Sequence, residues 1–205
     1  EETRKAAKAE IGPRMRAHLD VVKIVRDTLP GSLIVGDSTQ AIYAANLYYD
    51  HDRPGGWFTS ATGYGALGYA APASIGAQLA RPEAPVVCLT GDGGLQFSLA
   101  EIGSAKDAAA PVIFVVWNNN GYQEIETSMK DVGIAPIARL PEEQQQSAVR
   151  GELARNDQRT AEPLRIVRVI NDHLQATQIE SHQPAGVVGS AVAEPREHLA
   201  DGGWR

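Results

Sequence analysis

Two runs of apolar residues interrupt an otherwise mixed chain: 85–90 (PVVCLT) and 111–117 (PVIFVVW). Both are short, rich in β-branched residues and free of polar alternation. That pattern predicts strands buried on both faces, as in a parallel sheet. Residues 32–35 (SLIV) read as an earlier strand of the same kind. Helical spacing appears between and around them. Met15, Leu19, Val22, Val25 and Leu29 recur over 14–29, and Pro30-Gly31 closes the pattern. Further helices are predicted over 41–48, over 66–80 (ALGYAAPASIGAQLA), after residue 94 (Leu95, Leu99, Ile102) and over 123–130. Strands alternating with helices predict an α/β chain built on an open parallel sheet with helices on both faces.

The strand ends carry the candidate chemistry. Run 85–90 stops at Gly91-Asp92-Gly93-Gly94, and run 111–117 stops at Asn118-Asn119-Asn120-Gly121. Two strands thus deliver carboxylate and amide oxygens at the edge where open parallel sheets bind ligands. Gly93 and Gly94 have no Cβ, so a phosphate can approach their N–H groups, and the following helix start favours negative charge. Asp92 and an Asn side-chain oxygen suit Mg2+, which takes one or two protein oxygens beside phosphate and water. GDGG alone is also ordinary turn sequence; the second strand ending in NNN at matching distance favours a Mg-diphosphate site. GDSTQ (36–40) is another strand-to-helix turn, and Asp37 or Ser38 there is equally a helix N-cap.

GDG, then the 24 residues 94–117, then NN, resembles the thiamine diphosphate fingerprint of the acetolactate synthase and 2-oxo acid decarboxylase superfamily. The likeness extends through GDSTQ (36–40) and SATGYGALGYAAPASIGAQLA (60–80) and covers roughly 19–137. Within the superfamily, GDSTQ, NLYY, TGYGALGYA, GDGGLQF and WNNNGYQEI most resemble 5-guanidino-2-oxopentanoate decarboxylase-type proteins. The resemblance implies a three-layer thiamine diphosphate-binding fold of the diphosphate-binding type. It implies thiamine diphosphate and Mg2+ as cofactors, with Asp92, Asn119 and the Gly121 carbonyl on the metal. Gly93 and Gly94 would hold phosphate oxygens through their N–H groups, Ser38, Thr39 and Gln40 would be candidates to contact the diphosphate, Gly91 would belong to the cofactor site, and Tyr122 would flank the cofactor. Gly65 would offer its carbonyl to the aminopyrimidine. Leu67 would support the bent cofactor, although other members carry Met there; ordinary core packing is an equal reading of Leu67. Glu124 and Ile125 fall in a region that faces substrate in the family, and a carboxylate at 124 suits a guanidinium tail. The activating glutamate lies on a separate domain for which this chain has no candidate, so its own catalytic residue is unknown and it alone should catalyse little.

Composition sets the surroundings. The chain has 205 residues, 43% hydrophobic and 21% charged, enough for one domain with a core, and a net charge of −6. That charge gives no reason to expect nucleic acid or an anionic membrane as partner. No apolar run approaches the roughly 18 residues of a membrane span. The single cysteine, Cys88, sits in a predicted strand and reads as core; with no disulfide framework the expected compartment is a reducing cytoplasm. His51 reads as a solvated loop residue rather than an acid or base, and Glu101 as a surface or capping carboxylate. Tyr43, Tyr48 and Tyr49 read as core and interface filler. The chain opens EETRKAAKAE without Met and reads as the middle of a longer polypeptide, with 1–18 a linker or helix start from an upstream domain.

After residue 137 the resemblance stops. From 123 to 203 there is no aromatic residue, whereas 11 of the 12 lie at or before Tyr122. Only 164–170 (LRIVRVI) reads as a strand, so 138–205 is expected to be a weakly ordered or frame-shifted tail that leaves the sheet incomplete. Three functional readings follow: a 2-oxo acid decarboxylase acting in a homo-oligomer (dimer or tetramer), an acetolactate synthase-type carboligase, or an inactive truncated remnant. A dinucleotide site is not expected, for want of a G-x-G-x-x-G that opens a helix with an acid about 20 residues on.

Overall fold

The computed structural model describes residues 2–119, 121–137 and 167–171. Its strands are β1 (Leu33–Gly36), β2 (Trp57–Thr59), β3 (Val86–Gly91), β4 (Ile113–Asn118) and β5 (Val167–Asn171). They form one sheet in the order β2-β1-β3-β4-β5, and every neighbouring pair is parallel. The helices are α1 (Glu2–Glu10), α2 (Pro13–Thr28), α3 (Gln40–Tyr48), α4 (Ala70–Ala80), α5 (Asp92–Gln96), α6 (Glu101–Asp107) and α7 (Gln123–Asp131).

The unbroken apolar runs are explained by two covered faces. Leu33, Val35, Val86, Cys88, Phe114 and Val116 meet Ala70, Ala71 and Ile75 of α4 and Ile102 and Ala105 of α6. The alternate residues Ile34, Val87, Leu89, Val115 and Trp117 meet Leu19, Val21 and Val22 of α2 and Ala41, Ile42, Ala44 and Ala45 of α3. Burying each such side chain contributes about 1.5–3 kcal/mol, so these two faces hold the fold and the strand ends are free for other work.

The order of strands creates the site. From β1 the chain runs through α3 outward to β2, then returns through α4 to β3 on the opposite side of β1. The turns after β1 and β3 therefore diverge, and the crevice between them is the switch point where open α/β sheets take ligands.

Several expectations are corrected. The helix predicted over 66–80 starts at Ala70, because Gly65 and Gly68 adopt φ of +68° and +86° and no helix passes through them. Pro72 then falls in the first turn, where its missing N–H costs nothing. The helix after GDGG is two short ones, α5 and α6, separated by turns over 97–100. The short edge strand β2 was not predicted. The boundary drawn at 18–19 falls inside α2, whose His18 and Leu19 are both buried. β5 pairs with β4 (Val116↔Val169), so the sheet continues beyond residue 137. The remaining tail residues, 138–166 and 172–205, lie outside the described ones. His51 is not solvated: its side chain is 6% exposed. Nε2 lies 3.0 Å from the Ser32 carbonyl oxygen, so that nitrogen carries the proton, and Nδ1 accepts from Tyr49 Oη at 2.8 Å. Tyr43 is 37% exposed on α3, whereas Tyr48 and Tyr49 pack against the core.

Candidate functional site

Asp92 follows the last residue of β3 and is only 5% exposed. Its Oδ2 is buried with no hydrogen-bond partner. Burial pushes the carboxyl up from its ordinary value, against the backbone amides of Gly93, Asn119 and Gly121, which favour the charged form. The end of the Asn119 side chain lies 3.2 Å from Asp92 Oδ1 and 2.8 Å from the Gly121 carbonyl oxygen. With its nitrogen inward, that amide donates to both. With its oxygen inward, three oxygens converge: one carboxylate, one amide and one main-chain carbonyl. A buried orphan carboxylate oxygen beside such a set fits a hard cation, Mg2+ above all. Among the described residues no three His, Cys, Asp or Glu side chains cluster as a metal site, so this mixed set is the candidate.

Tyr122 lies over Gly93. A methyl group on Gly93 would fall 2.7 Å from Tyr122 Cε1, so only glycine lets the ring settle there. The ring also tilts against Phe97, with centroids 6.4 Å apart. On the other side of the turn, a methyl group on Gly94 would lie 3.2 Å from the Asp37 carboxylate and 3.3 Å from Thr90 Oγ1.

The turn after β1 closes the crevice. Asp37 is 1% exposed and fully engaged. Oδ1 accepts from Ser38 N–H at 2.8 Å, and Oδ2 accepts from Gly68 N–H at 2.9 Å and, at 3.4 Å, from Ala70 N–H and Thr90 Oγ1. It caps α4 rather than its own helix. Ser38 Oγ donates to the Gly65 carbonyl at 3.0 Å and lies 2.9 Å from Ser60 Oγ. Thr39 stands against Gly91. Gln40 accepts from the Trp117 indole at 3.1 Å and donates to Gln123 and Glu124.

The expected residues thus gather in three groups: Asp92 with Asn119, Gly121, Gly93 and Tyr122; Ser38 with Gly65; and Gln40 with Glu124. Leu67 is half-buried and belongs to neither core cluster. Ile125 is 45% exposed on α7. Glu101 opens α6 as its first-turn acid. Cys88 is sealed in the sheet, and burial pushes its thiol up to about 12, which makes it inert. The residues 63–68 (GYGALG) do spell G-x-G-x-x-G ahead of α4, contrary to expectation. Here the Gly65 carbonyl and the Gly68 N–H are taken by Ser38 and Asp37, and the run follows a 3-10 turn at Ser60–Thr62 rather than a strand end. Asp37, Thr90, Trp117 and Tyr43 were missed by sequence reasoning, because their roles are contacts across the fold; the Gly-Asp pair after a strand was the one signal for Asp37.

The family model for the thiamine pyrophosphate enzyme, C-terminal TPP binding domain, matches residues 36–184. The chain belongs to the thiamine pyrophosphate enzyme family. The matched span contains every site residue described above, β5 included. A probable 2-ketoarginine decarboxylase of Pseudomonas aeruginosa is 33% identical over 136 residues, 65% of this chain and 24% of its own length. The acetolactate synthase isozyme 3 large subunit of Escherichia coli is 38% identical over 94 residues, 46% of this chain and 16% of its own. A thiamine diphosphate-dependent 4-hydroxybenzoylformate decarboxylase of Rhodococcus jostii aligns with TM-score 0.51 and 25% identity over 70% of this chain and 27% of its own. The chain therefore spans about a quarter or less of the length of these relatives. It is a thiamine pyrophosphate-binding domain, and the relatives it is similar to are two decarboxylases and an acetolactate synthase subunit. Among the described residues no helix is long and apolar enough to cross a membrane.

Proposed function

We propose that this chain is the magnesium- and diphosphate-holding part of an enzyme that decarboxylates a 2-oxo acid, 5-guanidino-2-oxopentanoate being the substrate that fits best. One observation carries the reading: the buried, partnerless Asp92 Oδ2 beside the Asn119 amide and the Gly121 carbonyl. Asp92, Asn119 and Gly121 would hold Mg2+. Gly91, Gly93 and Gly94 from one turn, and Ser38 and Thr39 from the other, would line the diphosphate; Gln40 stands behind them, its amide taken up by Trp117, Gln123 and Glu124. Gly65 and Leu67 would meet the aminopyrimidine end, and Tyr122 would wall the site beside Gly93. Thiamine diphosphate, when bound, supplies the nucleophilic carbon and the electron sink for loss of CO2. The residues of this chain bind and orient it, with charges fixed in place before substrate arrives.

The guanidino substrate is favoured by the likeness to the Pseudomonas protein and by the carboxylate at Glu124. Glu124 and Ile125 are the substrate-side residues of this reading. A second reading, carboligation of the acetolactate synthase kind, is favoured by the likeness to the Escherichia coli subunit; product analysis separates an aldehyde from an acetohydroxy acid. The rest of the reading is a homo-oligomer, a cytoplasmic setting, and a domain of residues 19–137 extended by β5. The activating group would come from elsewhere in the assembly.

Calorimetric titration with thiamine diphosphate, with and without Mg2+, beside Asp92→Ala, tests the core of the reading. Metal-dependent binding that disappears in the variant is the expected result. Binding by a folded protein that ignores both Mg2+ and Asp92 would sink it.

A further inference from the structure

Gln40 opens α3, is 4% exposed, and its amide joins three elements. The Trp117 indole N–H, near the end of β4, donates to Gln40 Oε1 at 3.1 Å. An indole N–H can only donate, so the amide oxygen must turn toward Trp117 and the NH2 group must turn away. There it donates to Gln123 Oε1 at 2.8 Å and to Glu124 Oε1 at 3.3 Å, both in the first turn of α7. Trp117 is itself immobilised: it is 3% exposed, and its ring meets the His18 ring edge-on at 5.1 Å. A fixed polarity therefore runs from the core, through Gln40, to one oxygen of an exposed carboxylate.

The surroundings locate that carboxylate. Tyr43 lies one turn along α3 from Gln40. Burial raises its hydroxyl's pKa, Ser38 pulls it back, and the negative charges of Glu124 and Asp37 raise it further. Ser38 bonds in turn to the Gly65 carbonyl in the crevice. Glu124, bonded to the first residue of α3, thus stands beside the end of the turn that closes the crevice. A carboxylate pinned by one oxygen has already lost rotamer freedom, so a cation that binds it has less ordering to supply.

We propose that Gln40 is a positioning residue: locked by Trp117, it turns the Glu124 carboxylate to the crevice mouth to take the cationic end of the substrate. This rests on the decarboxylase reading above and adds to it the residue that orients Glu124. A guanidinium pairs with a carboxylate in a planar fork, and an uncharged chain of equal length does not.

The test uses the full-length enzyme and compares kcat/KM for 5-guanidino-2-oxopentanoate with that for 2-oxooctanoate, whose uncharged chain has the same eight-atom length. Glu124→Gln is expected to lower the preference for the cationic acid about tenfold, the equivalent of one charge-assisted contact. Gln40→Glu keeps an acceptor for Trp117 but sets a carboxylate against the oxygens of Gln123 and Glu124. It should lower the preference to a similar degree, through KM for the guanidino acid. The double variant Gln40→Glu with Glu124→Gln restores an acceptor–donor pair, so its thermal midpoint should recover toward wild type while the preference stays low. An unchanged preference in Glu124→Gln, an exposed site that folds regardless, overturns the proposal. So does an equal loss on both substrates in Gln40→Glu, the mark of a residue that only supports the fold. If the wild-type enzyme acts on both acids without preference, this inference alone fails. If it acts on neither, the decarboxylase reading fails and takes this inference with it.

Discussion

Two Gly-Asp pairs end neighbouring strands of this sheet, and they are used in opposite ways. Gly36-Asp37 follows β1 and Gly91-Asp92 follows β3, in adjacent register (Gly36↔Leu89). Both carboxylates are almost fully buried. Asp37 is saturated, with both oxygens accepting bonds from two loops and a strand end. Asp92 has one oxygen without any partner. A satisfied buried carboxylate stabilises a structure, whereas an unsatisfied one costs folding free energy and marks a place where something else binds. The dipeptide is the same; the supply of donors around it decides its role.

The sharpest way to break this comparison is Asp92→Asn. The nearly isosteric change should remove the Mg2+-dependent part of thiamine diphosphate binding, a loss of more than about 100-fold since an outer-shell change alone costs 10–100-fold. Circular dichroism should show the fold intact. Asp37→Ala should do the reverse. Stranding the half-buried Ser38 and Gly68 N–H groups and the buried Ala70 N–H costs about 3 kcal/mol, or roughly 6–12 °C in thermal midpoint for a chain of this size. Gly94→Ala tests the contact between the two turns. Its methyl would press on the Asp37 carboxylate and Thr90, for about 1–2 kcal/mol in denaturant titration. The smallest effect is in pH. Without metal, burial raises the Asp92 carboxyl above its ordinary 3.8, so the folded chain holds that proton more tightly than the unfolded chain does. Stability from this group is full below pH 3.8 and is lost as pH rises through the folded value. In EDTA, Asp92→Asn should therefore melt above wild type at pH 7, and the gap should close on acidification. A gap that widened in acid would contradict the burial of this group.

The strands, and the two strand-end turns on which the proposed metal site rests, were legible because their signals are local. VVCL and FVVW can only be doubly buried strands, and GDGG and NNNG fall at strand ends wherever the strands are placed. What stayed hidden depends on contacts made by folding. β2 is three residues long and exists because Trp57–Thr59 lies along β1, not because of any pattern of its own. The start of α4 was misread because Ala66 and Leu67 favour helix, while Gly65 and Gly68 take up φ values that stop one. His51 looked like a loop residue until the fold brought Ser32 and Tyr49 to it. No periodicity could show that Gln40, 77 positions before Trp117 in the chain, would meet its indole.

The Asn119 amide gives the metal end a property of its own. The same side chain that can turn an oxygen inward to a cation can turn a nitrogen inward and tie Asp92 to Gly121. The cage therefore has a latch made from one of its own bars. Without an ion, two hydrogen bonds keep the oxygens from pushing one another apart, so the cavity keeps its shape. If Mg2+ binds here, Asn119 would meet it through its oxygen, and the two hydrogen bonds that its nitrogen can make to Asp92 and Gly121 would be given up.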